Sequence, residues 1–176
     1  LFIIISILGR IKEFFLLFKS KKTLIYLTIT AILITTNWTG FIFAVSINRV
    51  QDASMGYYIT PMISIVLGYF FLKEKITLLK LISVLMMFFS LLFLLLSLKT
   101  LPVLAILIGL TWGIYGLLRK QIDVKSEIGL LYESGFISVI AAPYIAYLTY
   151  NEIGYFINPS TTNSILLILT GAITIF

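Results

Sequence analysis

The sequence predicts an all-α polytopic membrane protein, and three observations support that fold class. Of the 176 residues, 60% are hydrophobic and only 11% are charged, whereas a soluble domain carries about 25% charged residues. The mean hydropathy is +1.11. The apolar residues also form long runs, and each of the five interior runs can cross a hydrocarbon layer of about 30 Å as a helix. Strands of a membrane β-barrel would instead alternate over about 10 residues.

The helices are predicted, in chain order, by seven apolar runs, at residues 1–9, 24–47, 53–72, 76–98, 101–118, 128–149 and 164–176. Because the chain opens on Leu1 and ends on Phe176 within such runs, we expect both ends to be cut from a longer protein. Segment 10–22, RIKEFFLLFKSKK, either continues the first helix or lies along the membrane interface with its lysines among the headgroups. The stretch 150–163 predicts a polar turn with aromatic anchors.

The basic residues predict the orientation of these helices. Connections at 10–23, 73–80 and 119–127 hold eleven Lys and Arg, whereas the alternate connections hold only Arg49 and Lys99. Basic residues are retained on the cytoplasmic side of membrane proteins. We therefore expect the three basic connections to be cytoplasmic in a multi-pass membrane protein.

Composition argues against several classes of function. The chain has no cysteine and no histidine, so we expect no catalytic thiol and no zinc site built on those residues. Its seven acidic residues are scattered over different connections, whereas an enzyme acting on lipids usually needs paired acids or a metal cluster. We therefore predict no catalytic residues, no metal and no cofactor. The net charge of +6 does not form a basic stripe on a soluble module, so no nucleic-acid partner is expected.

The run 53–72 has a proline near its middle. Pro61 lies about 12 Å along this helix at about 1.5 Å per residue, and it shares a face with a row of polar and small residues: Ser54, Tyr57, Tyr58, Ser64 and Gly68. Helix interruptions at this depth are typical of the sites where transporters bind substrate. The alternative is a packing kink without a ligand. Tyr58 and Pro61 are candidate cavity residues.

Two further polar patches lie inside apolar runs. In TTNWTG, Asn37 lies about 20 Å along its helix, where its amide must pair with another helix or face water; Trp38 is either an interface anchor or a platform for substrate. In GLTWGIYGLLRK, the glycines predict close packing, while Trp112 and Tyr115 lie one turn apart. Asn37, Trp38, Trp112 and Tyr115 complete the candidate cavity residues.

Glu133 is the one acid clearly inside an apolar run. It lies about 8 Å from the cytoplasmic end of the helix 128–149. Intramembrane acids are costly and usually face a cavity or a partner, so proton coupling is one hypothesis. The alternative is a pair with a basic residue such as Lys125 or with a lysine beyond this sequence.

DASMGYYITPMISIVLGYFFLKEKIT resembles the most recognisable part of an EamA module of the drug/metabolite transporter superfamily. It has a helix with a proline at mid-membrane, then a glycine, then a Leu-x-Glu-Lys exit. The stretches NWTGFIFAVSINRVQDASMGYYITP, LPVLAILIGLTWGIYGLLRKQ and GLLYESGF are similar to RarD-type members, the chloramphenicol-sensitivity permeases. The resemblance extends over most of the chain.

The resemblance implies a drug/metabolite transporter bundle of ten helices in two EamA modules arranged as an inverted repeat. Residues 1–98 would be the C-terminal part of the first module (helices two to five), and residues 101–176 the N-terminal part of the second (helices six to eight, the last truncated). The TWG at 111–113 resembles the tryptophan-glycine that opens such modules.

The function that the resemblance implies is alternating-access transport of a small organic solute, such as a metabolite, an amino acid or a drug-like compound. Its partners would be the lipid bilayer and that solute, with a homodimer left open. Two alternatives remain at this point, a non-transporting scaffold or truncated remnant, and a membrane-embedded enzyme acting on lipid.

Overall fold

A computed structural model of the chain describes residues 1–98, 102–153 and 161–173. Within those ranges every regular element is a helix, which confirms the all-α prediction. The helices are α1 (Phe2–Ile7), α2 (Ile11–Leu16), continued by a 3₁₀ turn (Leu17–Lys19), α3 (Lys21–Ser46), α4 (Val50–Leu72), α5 (Leu78–Leu98), α6 (Val103–Lys120), α7 (Ser126–Tyr150) and α8 (Thr161–Ile173). Residues 154–160 of the polar turn predicted at 150–163 lie outside this description.

Four of the described helices, α3, α4, α6 and α7, are long and apolar enough to cross a membrane. They match the predicted runs to within a few residues at each end. The described apolar parts of α5 and α8, Leu78–Leu94 and Thr162–Gly171, are shorter. Hydropathy alone therefore located the spans, because about 20 apolar helical residues suffice to cross the bilayer.

Left-handed residues end several of the helices. The backbone adopts positive φ at Gly9 (66°) after α1, at Asn48 (59°) after α3 and at Lys73 (54°) after α4. Such residues cannot continue a right-handed helix. The break at Gly9 shows that segment 10–22 does not continue the first helix, so that alternative is wrong. Residues 11–19 instead form the separate helix α2 and its 3₁₀ turn, and α3 begins at Lys21.

Helix α4 runs without interruption from Val50 to Leu72 and passes through Pro61. A proline has no N–H to donate to the carbonyl four residues earlier. The helix tolerates this loss, as is usual in membrane helices when the freed carbonyl meets water or a neighbouring donor. A second proline, Pro143, lies inside α7.

The chain divides into two compact units, Lys21–Val124, and Leu1–Ser20 with Lys125–Phe176. In the first, α6 packs along both α3 and α4, and α5 packs against α4. One buried apolar cluster of this unit is Ala44, Ala53 and Ile108, with Phe41 and Leu104 packed against it. These two units are defined by contacts in space, so the predicted division into EamA modules over residues 1–98 and 101–176 stays a prediction.

In the second unit, α1 and α2 pack against α7. Two ion pairs tie α2 to the start of α7, one between Arg10 and Glu127 and one between Lys125 and Glu13, whose Nζ and Oε1 atoms are 2.8 Å apart. The ring of Phe18 also lies 6.2 Å from that of Tyr132 on α7. The short α2 is therefore held at the N-terminal end of a membrane-spanning helix.

Candidate functional site

A seam of glycines joins α4 and α6. At Gly56 a β-carbon would lie 2.6 Å from Ile108 Cγ2, at Gly109 it would lie 2.7 Å from Ile59 Cγ2, and at Gly113 it would lie 2.5 Å from Ile63 Cγ2. Real β-carbons do not approach other atoms so closely, so each of these positions requires glycine. Without a hydrophobic force between helices in lipid, such close backbone approach is a main source of helix association.

The seam is not made by the row of polar and small residues around Pro61. Gly56, Ile59 and Ile63 make the contact, whereas Ser54, Tyr58, Pro61 and Ser64 are exposed. Of that row, only Gly68 is buried. Apolar residues occur on both faces, because lipid tails are as apolar as a neighbouring helix, so hydrophobicity did not distinguish them.

Asn37 joins α3 to α6. Its side chain is 1% exposed, and its Nδ2 donates hydrogen bonds to the carbonyl of Ile108 at 2.8 Å and to Thr111 Oγ1 at 3.0 Å. Thr111 Oγ1 in turn donates to the carbonyl of Leu107 at 2.7 Å. The prediction that this amide must find a partner in another helix or water is confirmed, and the partner is α6.

Threonines around Asn37 line a shallow cavity of about 350 Å³ between α3 and α6. Thr35, Thr36 and Thr39 contribute to it together with Phe43 and Leu107. Trp38 lies on the neighbouring side of α3 and is 46% exposed. The TTNWTG patch thus divides into an inward amide, a row of threonines along a cavity, and an outward indole.

The two aromatic residues predicted on α6 are in contact. Trp112 and Tyr115 are both half-buried, and their rings stack with centroids 5.4 Å apart and planes inclined by 26°. A stacked pair of this kind presents one extended aromatic surface that is capable of contacting a planar or apolar solute. Gly113 lies between them in sequence but faces α4 in the seam.

A larger groove of about 500 Å³ runs between α4 and α5 beside Tyr58, which is 68% exposed. The α5 side consists of Met86, Met87, Ser90, Leu91, Phe93 and Leu94. A smaller cavity of about 270 Å³ adjoins it and shares Tyr58 and Leu94. Sequence reasoning missed this α5 surface, because Ser90 is one of three serines in the run and methionines are as acceptable to lipid as to a groove.

The structure does not bring the six candidate cavity residues to one cavity within the ranges that it describes. Tyr58 lines the α4–α5 groove, Asn37 is buried against α6, and Trp112 and Tyr115 form the aromatic pair on α6. Pro61 and Trp38 are exposed on α4 and α3. Their joint role in one binding site stays a prediction.

Glu133 lies in α7, in the other unit, and is 1% exposed. Lys125, one of the pairing partners proposed for it, forms an ion pair with Glu13; the choice between proton coupling and a pair with another basic residue stays a prediction. A buried carboxylate in a membrane-spanning helix is a common feature of proton relays.

The Leu-x-Glu-Lys exit has a defined structural role. After Leu72 the backbone turns at Lys73, and the N–H of Glu74 donates to the carbonyl of Gly68 at 3.1 Å. The Glu74 carboxylate then lies 3.1 Å from Lys120 Nζ at the end of α6 and 4.0 Å from Lys80 Nζ. Lys120, expected to act only in orientation, therefore also joins the ends of α4 and α6.

The described residues contain no group of three or more His, Cys, Asp or Glu side chains arranged to hold a metal ion.

The chain was compared with families, with curated proteins and with solved structures. Residues 1–96 match the model of the EamA-like transporter family. No solved structure matches the chain significantly.

The matching curated proteins include bacterial transporters. The chain is 34% identical to "Protein RarD" of Escherichia coli (strain K12), over 90% of this chain and 53% of that protein. It is 30% identical to "Protein RarD" of Salmonella typhi, over 90% and 54%, and 35% identical to "Uncharacterized transporter YojE" of Bacillus subtilis (strain 168), over 73% and 43%. The chain thus spans about half the length of the curated relatives that it matches.

The resemblance predicted from the sequence agrees with these matches. The family match covers more than half of the chain, and it includes α3, α4 and most of α5. This multi-pass membrane protein belongs to the EamA-like transporter family.

Proposed function

We propose that the protein moves a small organic solute across the bacterial cytoplasmic membrane by alternating access. The observation that carries the proposal is the match of residues 1–96 to a family of transporters. The solute class would be a metabolite, an amino acid or a drug-like compound. The complete protein would have ten helices in two EamA modules related as an inverted repeat, and its oligomeric state, including a homodimer, stays a prediction.

The geometry supports this proposal because the residues that pack the helices together differ from those that are exposed beside a groove. Glycines fix α4 to α6, and the Asn37 amide fixes α3 to α6. The face of α4 that bears Tyr58 and Pro61 is left exposed beside an apolar groove with a few hydroxyl groups. Apolar walls with a small number of polar groups are typical of sites for small molecules. Tyr58, the Trp112–Tyr115 pair, Trp38 and Pro61 are the proposed solute-facing residues, with Asn37 holding its helix in place.

Solute flux in vesicles tests the proposal. Protein from the complete reading frame would be reconstituted into liposomes and offered amino acids, central metabolites and amphenicols, in both directions and with or without a pH gradient. We expect saturable movement of one solute class. Folded protein that moves none of them would favour a non-transporting scaffold.

Tyr58→Ala tests the groove once a solute is found. We expect a several-fold rise in KM for flux, because the variant removes an aromatic contact worth about 1 kcal/mol. Tyr69→Ala is the matched control, since Tyr69 is 50% exposed on the same helix but does not line the groove. Equal effects of the two substitutions would contradict a role for the groove.

Glu133 is the proposed site of proton coupling. Glu133→Gln removes the carboxyl group that can bind and release a proton and retains the shape of the side chain. Solute flux should then no longer respond to an imposed pH gradient, while exchange of solute across the membrane continues. Glu127→Gln on the same helix is the control, since Glu127 is in an ion pair with Arg10. A Glu133→Gln variant that still concentrates solute when a pH gradient is imposed would refute the role.

A further inference from the structure

The segment comprising α2 and its 3₁₀ turn has two distinct faces. Glu13 and Phe14 are half-buried, Leu17 is buried, and Arg10 on the same side pairs with Glu127. The opposite face consists of Lys12, Phe15, Leu16 and Lys19, spaced by three, four and seven residues, and all four are exposed. We name these four residues the outer face of α2.

The ion pairs determine which charges remain on that face. Glu13, the one acid of the segment, is 2.8 Å from Lys125 Nζ, so its charge is balanced on the α7 side. The outer face carries two ammonium groups, one at each end, with Phe15 (62% exposed) and Leu16 (53% exposed) between them. An apolar centre flanked by lysines matches the boundary between acyl chains and headgroups, because lysine stems lie along apolar surface while the ammonium groups remain in water.

The position of α2 along the membrane normal follows from its attachment to α7. Both ion pairs join it to the residues that begin this spanning helix, Lys125 and Glu127. The connection before α7 holds Arg119, Lys120 and Lys125 and is predicted to be cytoplasmic. The segment is therefore held at the level of the cytoplasmic headgroups, too short to enter the bilayer as a span.

We propose that the outer face of α2 binds the anionic phospholipids of the cytoplasmic leaflet, with Phe15 and Leu16 inserted among the acyl chains and with Lys12 and Lys19 on the lipid phosphates. Charge complementarity selects this occupant, since a negatively charged leaflet attracts basic residues next to the membrane. The inference does not depend on what the protein transports.

A fluorescent probe on the outer face tests the proposal. The chain has no cysteine, so Leu16→Cys in protein from the complete reading frame, with any cysteine elsewhere replaced, accepts a single environment-sensitive label. Labelled protein would be reconstituted in phosphatidylcholine vesicles with and without phosphatidylglycerol. Quenching by aqueous acrylamide and by lipids with a nitroxide on the acyl chain reports whether the label lies in water or lipid. Gln121→Cys, exposed after α6, is the matched label position and should stay in water.

With phosphatidylglycerol present, we expect the label on the Leu16→Cys variant to be quenched by the nitroxide lipid and protected from acrylamide. Lys12→Gln combined with Lys19→Gln should lower the ratio of bound to unbound segment by roughly thirtyfold, from about fivefold for each lysine near an anionic surface. High salt should act in the same direction. Lys73→Gln with Lys75→Gln makes the same charge change after α4 and should leave the label unaffected.

Three results would overturn the proposal. A label in water in both lipid mixtures would show that the face does not contact the membrane. Equal burial in both mixtures, unchanged by the lysine substitutions, would show apolar contact without selection for anionic lipid. Protection that varies with the ratio of protein to lipid would show that another copy of the protein covers the face.

Discussion

Replacing Gly109 by alanine should destabilise the α4–α6 pair, although alanine is the better helix former. The added β-carbon would lie 2.7 Å from Ile59 Cγ2, 2.9 Å from Ile59 Cβ and 3.2 Å from the carbonyl oxygen of Gly56. The last of these atoms belongs to the backbone, and a β-branched side chain in a helix has little rotamer freedom. The helices must therefore separate to relieve the contact.

The magnitude follows from two opposing terms. Overpacking of a close contact costs about 1–3 kcal/mol, and the helix propensity of alanine offsets about 1 kcal/mol. We expect a net loss of about 1 kcal/mol for Gly109→Ala, and at most about 2 kcal/mol. Gly116→Ala on the same helix is the matched control, because a β-carbon there meets no atom within 4 Å. That variant should be unchanged or up to about 1 kcal/mol more stable.

Reversible unfolding in mixed micelles, followed by far-ultraviolet circular dichroism as SDS is added, measures both free energies of unfolding. A double-mutant cycle with Ile59→Leu, which removes the Cγ2 atom nearest the new β-carbon, should recover part of the loss and give a coupling of at least about 0.5 kcal/mol. If Gly109→Ala and Gly116→Ala are equally stable, the seam does not hold the two helices together.

Two further predictions concern the hydrogen bonds that join α3 to α6 and the ion pair that joins the ends of α4 and α6. Asn37→Ala removes two interhelical hydrogen bonds and should cost about 1–2 kcal/mol of unfolding free energy in the same SDS titration. Thr39→Ala, at an exposed position on the same helix, is the control and should cost less than about 0.5 kcal/mol. Equal losses would contradict the role of Asn37 in joining α3 to α6. Lys120→Gln removes an exposed ion pair with Glu74 and should cost less than about 1 kcal/mol of unfolding free energy. The difference from wild type should become smaller in high salt. A larger loss that does not depend on salt would show that the pair is shielded from water.

Hydropathy was sufficient to place the helices, because burial in lipid depends only on the length and polarity of a run. It was not sufficient to determine which face of α4 meets α6. The row from Ser54 to Gly68 and the row of Gly56, Ile59 and Ile63 both have helical spacing, and both are acceptable to lipid. The two rows are distinguished only by how closely the three glycines of the seam approach the facing helix.

Polar residues inside the runs were informative to different degrees. The buried amide of Asn37 had to find a hydrogen-bond partner, so its contact with another helix or water was predictable from the sequence alone. The side chains of Trp38 and Tyr58 are stable in either a protein or a lipid environment, because each combines an apolar ring with one polar group. The sequence could not assign them to a cavity, and it gave no reason to select Met86 or Ser90 on α5.

Helix α6 holds its two neighbours by different chemistry, and this bears on where a solute could bind. Gly109 and Gly113 bring it against α4, while its backbone and Thr111 receive the amide of Asn37 from α3. In contrast, α5 contacts α4 with much of its surface exposed, including Met86 and Phe93. The α4–α5 groove therefore has one wall fixed by the seam and one wall held by fewer contacts. Tyr58 lies on the fixed wall and is not itself in the seam. Its replacement therefore changes the surface offered to a solute and leaves the packing of α4 against α6 intact. A change in solute flux in the Tyr58 variant can for this reason be attributed to the groove.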